Sequence, residues 1–248
     1  MNIENKTILI TGGGTGIGFS IANVLSGKGN RIILAGRRED KLKEAVAQLP
    51  QASYIVSDIT KDADVEHLVQ QVKTKYGGLD ILVNNAGVVT AYPLDSIDGV
   101  YEKAKFEMDL NYLSVVRLTE RLLPFLKASK EAAIINIESI VSYLPATVLA
   151  TYSATKAALH SYSQSLRLVL QKTNPHIQVF EVFPPFVDTD MTKGFNAEKL
   201  SPDEVAQDIY NALQKNAYAV RPGKTEGVYQ SFLLSPETTL KQFNGLEA

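Results

Sequence analysis

The sequence predicts an α/β fold, a doubly wound parallel sheet of about seven strands with helices on both faces. Two observations support this prediction. Short runs rich in β-branched residues alternate with amphipathic stretches along the 248 residues, which is typical of parallel strands joined by crossover helices. The strand runs, such as Ile8 to Ile10, also lack polar alternation, so we expect both faces of the sheet to be buried.

The expected elements follow each other in a regular order. The strand candidates are 7–11, 31–36, 53–58, 80–84, 133–137, 178–183 and 218–220. The amphipathic stretches between them cover 17–28, 39–49, 62–76, 101–128, 152–172 and 202–215. A capping box with proline at the first helical position begins at Ser201, and Ser235-Pro236 opens a last short helix. No repeat, low-complexity tract or linker interrupts this order, so we expect one domain over 1–248.

Composition excludes several classes of function. The formal net charge is −2 and no basic stripe is present, so we expect no nucleic-acid partner. Cysteine is absent, which excludes disulfides, thiol catalysis and zinc–thiolate sites, and we expect no bound metal. No stretch approaches the ~20 apolar residues that a bilayer span needs. These features predict a cytoplasmic protein without a membrane span.

The stretch 101–128 is apolar on more than one face. Leu110, Leu113 and Val116 form one row, and Val115 and Leu118 belong to another that ends at Leu122. A helix beside an open sheet has only one sheet to pack against, so we expect one row to contact a second subunit. The alternative is a helix wedged deep in one core. The first interpretation predicts a homodimer or homotetramer.

Residues 11–18 read TGGGTGIG and directly follow the first strand. Glycine costs backbone entropy, so such a cluster indicates close approach of the backbone to a ligand, unless it is a plain strand–helix connection. Free N–H groups at the start of a helix hold pyrophosphate. The spacing does not fit G-x-G-x-x-G but fits T-G-x-x-x-G-x-G. The candidate cofactor contacts in this turn are Gly12, Thr15, Gly16, Ile17 and Gly18.

The end of the second strand indicates which dinucleotide is preferred. A carboxylate at this place would accept hydrogen bonds from the adenine ribose 2′-hydroxyl. The sequence instead has Gly36 followed by Arg37 and Arg38, and arginine pairs with phosphate through a planar fork. We therefore expect NADP(H) rather than NAD(H), with Arg37 as the favoured contact. The alternative is that both arginines are solvated surface charges.

Tyr152 and Lys156 stand four residues apart on a predicted helix and share one face. A free tyrosine has a pKa of ~10, and a neighbouring ammonium would lower that pKa toward the range useful for acid–base catalysis. The pair alone is weak, because both residues are common on helix surfaces. Ser139 follows the fifth strand and would hold a substrate oxygen. Asn111, a poor helix-interior residue, either organises a water relay to the lysine or relieves a kink.

These motifs occur together in one order and spacing: TGGGTGIG, Asp58 of SDIT, NNAG at 84–87, Asn111, Ser139 and YSATK. On them the chain resembles the one-domain short-chain dehydrogenases/reductases over essentially its whole length. The resemblance implies a Rossmann-type sheet, a nicotinamide cofactor and a catalytic tetrad of Asn111, Ser139, Tyr152 and Lys156. Tyr152 would act as the acid/base, and Lys156 would also bind the ribose hydroxyls. The remaining implied cofactor contacts are Asp58, Asn85, Ala86, Gly87, Pro184, Val187 and Thr189.

Two departures from the family pattern stand near this site. Glu138 precedes Ser139 where the family often has serine, and Pro185 occupies a position where the family usually has glycine. Proline fixes φ and cannot copy the freedom of glycine. The double proline at Pro184-Pro185, together with the segments NYLSVVRLTE and LLSPE, makes the chain similar to the DltE-type oxidoreductases within the family.

The sequence thus predicts an NADP(H)-dependent oxidoreductase that transfers a hydride between nicotinamide and a small carbonyl or alcohol substrate. One alternative is a catalytically quiet NADP-binding regulator or scaffold of the same fold; the presence of both Tyr152 and Lys156 favours an enzyme. Another is the epimerase or dehydratase branch, whose usual glycine at position 15 is Thr15 here. Candidate residues for an apolar substrate pocket, with core or interface as the equal alternative, are Ile140, Val141, Tyr143, Leu144, Val148, Phe186 and Met191.

Overall fold

The structure, a computed structural model, describes residues 1–95 and 99–247. Its sheet has seven parallel strands in the order 3-2-1-4-5-6-7. The strands are β1 (Thr7–Thr11), β2 (Arg31–Gly36), β3 (Ala52–Val56), β4 (Ile81–Asn84), β5 (Ala132–Ile137), β6 (Ile177–Val182) and β7 (Ala219–Val220). The predicted fold class is confirmed: the bounds of β1 and β2 are as expected, and those of the other strands differ by one or two residues. The largest difference is at the predicted strand 53–58, which ends at Val56.

Helices connect consecutive strands and cover both faces of the sheet. They are α1 (Gly16–Leu25), α2 (Glu39–Val46), α3 (Asp62–Gln71), α4 (Val100–Met108), α5 (Ser114–Ala128), α6 (Ala150–Thr173), α7 (Pro202–Lys215), α8 (Thr225–Leu234) and α9 (Pro236–Phe243). π-Helical turns follow α3 at Val72–Tyr76 and join α4 to α5 at Asp109–Leu113. The single helix expected over 101–128 is therefore two helices joined by a π turn. None of the helices that the structure describes is long and apolar enough to cross a bilayer.

Two apolar cores lie on opposite faces of the sheet. In β1, Ile8 and Ile10 point into one core, and Leu9 points into the other. All three side chains are fully buried. Because successive strand residues face opposite sides, a strand buried on both sides shows an unbroken apolar run. This explains why the sequence pattern identified the strands.

The two apolar rows predicted in the stretch 101–128 do not divide into one buried row and one exposed row. Val115, Leu118 and Leu122 pack into the core as expected, but Leu110 of the other row is also buried. Leu113 of that row is 47% exposed. The neighbouring helix α6 exposes Leu168 and Val169 by 65% and 58%. The exposed apolar surface of this region therefore involves α6 as well as Leu113.

The strand order reverses at β1, whose neighbours are β2 on one side and β4 on the other. The segments that leave the carboxyl ends of β1 and β4 diverge at this point and leave a crevice, the usual ligand position in open α/β sheets. The segment after β5 borders the same crevice, because β5 pairs with β4 in register, Asn136 opposite Asn84.

Candidate active site

A cavity of about 380 Å³ opens at the carboxyl ends of the strands. It is bounded by residues 11–18, which we call the glycine turn, and by the ends of β2 and β3. The segments after β4, β5 and β6 and one face of α6 complete its wall. The sequence-predicted site residues that line it are Gly12, Thr15, Gly16, Ile17, Arg37, Arg38, Asp58, Asn85, Ala86, Gly87, Ser139, Tyr152, Lys156, Pro184, Val187 and Thr189. Gly18 and Asn111 do not line the cavity but support residues that do.

The glycine turn is clamped to the segment after β4. The N–H groups of Asn85 and Ala86 both donate to Thr11 Oγ1 at 3.0 Å, and Asn85 Nδ2 donates to the Thr11 and Gly12 carbonyls at 2.9 and 3.2 Å. Gly12 has φ +65° and Gly16 has φ +54°, the left-handed region that favours glycine. A Cβ on Gly18 would lie 2.5 Å from both Asn85 Nδ2 and Gly12 O. Gly18 is therefore required by packing.

Basic groups surround one end of the cavity. Arg37 and Arg38 are exposed there, and Arg38 Nη2 donates to Thr15 Oγ1 at 3.1 Å. Lys41, which the sequence reasoning missed, lines the same end from the first turn of α2. Burial raises the pKa of the Asp58 carboxyl, but hydrogen bonds from Thr60 and the nearby Arg37 charge lower it overall. This end thus combines the three cations with the carboxylates of Asp58 and Asp190.

Ser139, Tyr152 and Lys156 meet at the other end of the cavity. Lys156 is 5% exposed, its Nζ donates to the Ile137 carbonyl at 2.8 Å, and it lies 5.7 Å from the centroid of the Tyr152 ring. Burial raises the pKa of Tyr152 to about 12, against a hydrogen bond with Ser139 that lowers it. Burial also lowers the pKa of Lys156 to about 8. The sequence argument expected a lowered tyrosine pKa, but here burial of the phenol dominates.

Asn111 sits in the π turn between α4 and α5. It is 1% exposed, and both ends of its amide are engaged: Oδ1 accepts from Val88 N at 2.9 Å, and Nδ2 donates to Val88 O at 2.9 Å and Thr155 Oγ1 at 3.1 Å. The side chain therefore ties the segment after β4 to α6 beside Lys156. The water relay to the lysine that one sequence interpretation proposed stays a prediction.

The structure also brings in buried polar residues that the sequence reasoning missed. Glu107 of α4 is fully buried, and its carboxylate accepts from Thr90 N at 2.7 Å and from Thr151 Oγ1 at 2.6 Å. It thereby links the loop after β4 to the first turn of α6. An acidic residue inside a helix gives no sequence signal of burial, because such residues usually face solvent.

Apolar side chains line the cavity beyond Tyr152. Of the predicted pocket residues, Ile140, Val141, Phe186 and Met191 line it. The other three do not: Tyr143 stacks on Phe183 with ring centroids 4.5 Å apart, Leu144 is in the core, and Val148 is 51% exposed. Lining residues that were not predicted include Val89, Leu149, Phe195, Lys224 and Phe243. They come from segments distant in sequence, and no local pattern marks them.

Comparison with known proteins identifies the family. The model of the short chain dehydrogenase family matches residues 6–200, so the chain belongs to this family. It is similar to the uncharacterized oxidoreductase DltE of Bacillus subtilis (strain 168), with 33% identity over 255 residues and all of both chains covered. It is also 34% identical to an uncharacterized oxidoreductase of Staphylococcus aureus (strain MRSA252), covering 89% of this chain and 98% of that one. The predicted DltE-like resemblance is confirmed.

Solved structures agree with this assignment. A short chain dehydrogenase from Burkholderia cenocepacia J2315 in complex with NADP aligns with a TM-score of 0.85 at 26% identity, covering 96% of this chain and 97% of that chain. The 3-ketoacyl-(acyl-carrier-protein) reductase from Brucella melitensis, complexed with NADH, aligns with a TM-score of 0.82 at 26% identity over 89% and 98%. The protein is thus an oxidoreductase of the short-chain dehydrogenase family.

Proposed function

We propose that the protein is an NADP(H)-dependent reductase or alcohol dehydrogenase in which Tyr152 is the acid/base. The observation that carries this proposal is the convergence of Ser139, Tyr152 and Lys156 on the cavity that also contains the glycine turn. The substrate is a small carbonyl compound or alcohol with an apolar body, because apolar side chains dominate the cavity beyond Tyr152.

The residues present fit a nicotinamide dinucleotide. Thr15 at the start of α1 makes no side-chain cap, which leaves the first N–H groups of this helix available for pyrophosphate. The glycines beside it allow the close approach that a pyrophosphate requires. Both NADP and NADH occur in related solved structures.

The preference for NADP(H) rests on the basic end of the cavity. Arg37, Arg38 and Lys41 can pair with a 2′-phosphate. Glu39, the nearest acid after β2, is instead engaged by Lys43 at 3.0 Å and by the Tyr54 hydroxyl at 3.1 Å. Arginines instead of a carboxylate directly after Gly36 favour the phosphorylated dinucleotide over one with a free ribose 2′-hydroxyl.

The bound dinucleotide would supply or accept the hydride, and the chain's own residues handle the oxygen and its proton. The Ser139 hydroxyl would hold the substrate oxygen in place. During reduction, the Tyr152 hydroxyl would donate its proton to that oxygen, and during alcohol oxidation the phenolate would take it back. Lys156 as an ammonium favours the phenolate electrostatically. Asn111 would act indirectly, because its hydrogen bonds to Val88 and Thr155 position the segment after β4 and helix α6.

The proposal is tested with purified protein, NADPH and NADH titrations, and a panel of aldehydes and ketones. Tyr152→Phe should lower the reduction rate by about 10²- to 10⁴-fold while NADPH still binds. Tyr162→Phe, a matched change on the same helix, should keep its rate. The proposal fails if no nicotinamide dinucleotide binds, or if Tyr152→Phe retains more than about a tenth of the rate.

We also propose that the protein is a homodimer or homotetramer. Leu113, Leu168 and Val169 together place exposed apolar surface on adjacent helices, which supports an interface there. Light scattering of the wild type and of Leu168→Glu measures the oligomeric state directly. The wild type should have the mass of a dimer or tetramer, and Leu168→Glu should have a lower mass. Equal masses for the wild type and the variant would contradict this interface.

A further inference from the structure

A cluster of charged side chains lies behind Ser139 and Lys156, with its two acids buried and its two basic residues partly buried. It consists of Glu138, His160, Arg167 and Glu181, and we call it the carboxylate cluster. Glu138 and Glu181 are 2% and 1% exposed. Pairing of β5 with β6 brings the two acids together, since Glu138 N donates to Val182 O at 2.7 Å. His160 and Arg167 face them from α6. The cluster therefore sits between the end of the sheet and the helix that carries Tyr152 and Lys156.

The two carboxylates are not equally satisfied. Glu181 is hydrogen-bonded through one oxygen to His160 Nδ1 and through the other to Arg167. Glu138 Oε2 lies 3.4 Å from the same His160 nitrogen, and neither of its oxygens has a hydrogen-bond partner. A buried carboxylate without hydrogen bonds is costly and calls for a specific reason. Glu181 is explained by its two partners, whereas Glu138 is not.

Lys156 is anchored to the backbone next to Glu138. Its Nζ donates to the carbonyl of Ile137, which forms the peptide bond to Glu138. Lys156 and His160 are four residues apart on α6, so they lie on one face of the helix, above Glu138. Among the described residues, no carboxylate lies within 4 Å of the Lys156 ammonium. Glu138 acts on it from a longer distance, and its charge raises the pKa of Lys156 against the lowering effect of burial. Burial and the Glu181 charge raise the pKa of Glu138 itself to about 7, so its carboxylate is mostly ionised where Lys156 titrates and loses its charge below that pH.

We propose that Glu138 is a positioning residue: its buried carboxylate, which lies beside His160 and Glu181, keeps the Lys156 side chain charged beside Tyr152. This inference rests on the proposed function, in which the ammonium form of Lys156 supports the tyrosine. It explains why a carboxylate stands where the family pattern has serine. It also accounts for the orientation of Glu138, which faces α6 and not solvent.

The cluster needs no metal ion to balance its charge. The ligand-type atoms of Glu138, His160 and Glu181 lie within 4.8 Å of one another. The Arg167 guanidinium and a protonated His160 already offset two carboxylates, so an added divalent ion would leave excess positive charge in a buried site. The other groups that face Glu138 are Ser163 of α6 and Tyr143 after β5. Neither carries a compensating positive charge.

The test measures the ionisation of Lys156 directly and does not depend on turnover. Protein labelled with ¹³C at lysine Cε is titrated by NMR between pH 6 and 10.5 (a range around the reference lysine pKa of ~10.4), and the Lys156 signal is assigned with Lys156→Arg. In wild type this signal should titrate well below the other lysines. In Glu138→Gln its midpoint should fall by about one pH unit, because a negative charge near the ammonium is removed.

Three variants serve as controls. Glu138→Asp keeps the charge and should restore most of the wild-type midpoint, whereas Glu138→Ser should shift it as Glu138→Gln does and replaces that variant if it fails to fold. Glu131→Gln removes an acid at the opposite end of β5 and should leave Lys156 unchanged. Equal midpoints in wild type and both uncharged variants would overturn the inference, even if the enzyme turns over as proposed. The inference would also be overturned if the wild type contains one divalent metal ion per chain and Glu138→Gln contains none.

Discussion

Replacing Gly18 by alanine tests whether the glycine turn is packed as tightly as described. The new Cβ would lie 2.5 Å from Gly12 O and 3.0 Å from Gly12 C, which are backbone atoms and cannot rotate away. The turn must therefore shift, and overpacking of this kind costs about 1–3 kcal/mol. We expect Gly18→Ala to lower the free energy of unfolding by about 2 kcal/mol and to weaken NADPH binding at the same time.

Gly227 in α8 offers a matched control. It is also a helical glycine, but a Cβ there would meet nothing within 4 Å. Alanine has the higher helix propensity, so Gly227→Ala should raise stability by up to about 1 kcal/mol. Urea unfolding followed by circular dichroism measures both changes, and fluorescence titration measures NADPH binding. If Gly18→Ala is as stable as Gly227→Ala and binds NADPH normally, the described contact between α1 and the turn is wrong.

Three further predictions concern the clamp, the basic end and the carboxylate cluster. Thr11→Val leaves two N–H groups after β4 without their acceptor and should cost about 2 kcal/mol in urea unfolding; a loss under about 0.5 kcal/mol would refute the clamp. Arg37→Ala with Arg38→Ala should weaken NADPH binding by about 10- to 100-fold more than NADH binding, with Arg121→Ala as a neutral control, and equal losses for the two dinucleotides would contradict the assigned preference. Burial lowers the pKa of His160, but Glu138 and Glu181 raise it overall from 6.5 to about 9. The stability advantage of wild type over His160→Asn should therefore be full below pH 6.5 and disappear as the pH rises through about 9; a constant advantage measured by pH-dependent unfolding would refute this.

The fold was predictable because its strands are buried on both faces. The apolar runs around Ile8, Ile33 and Ile134 identified strands directly, and alternation with helices gave the parallel sheet. The π turn at Asp109–Leu113 was not predictable, because its residues continue the amphipathic pattern of the flanking helices. Helix α8 was missed for the opposite reason: most of it is exposed and its residues show little amphipathic periodicity.

The candidate site was predictable where short motifs carry it and unpredictable where the fold assembles it. The spacing of Tyr152 and Lys156 places them on one helical face wherever that helix lies. The orientation of Glu138, by contrast, depends on the pairing of β5 with β6 and on which helix covers that end of the sheet. Phe243 reaches the cavity from α9, about ninety residues after Tyr152 in the sequence, so no local pattern could place it there.

The π turn at Asp109–Leu113 makes the candidate site sensitive to the insertion or deletion of a single residue. It accommodates one residue more than an α-helix would over the same rise, and each residue of a helix rotates the next side chain by ~100°. Deleting one residue from this turn would restore a regular helix and swing the Asn111 amide away from Val88 and Thr155. An in-frame deletion of one codon here would thus keep the overall fold but remove the hydrogen bonds of Asn111 that link the segment after β4 to α6 beside Lys156.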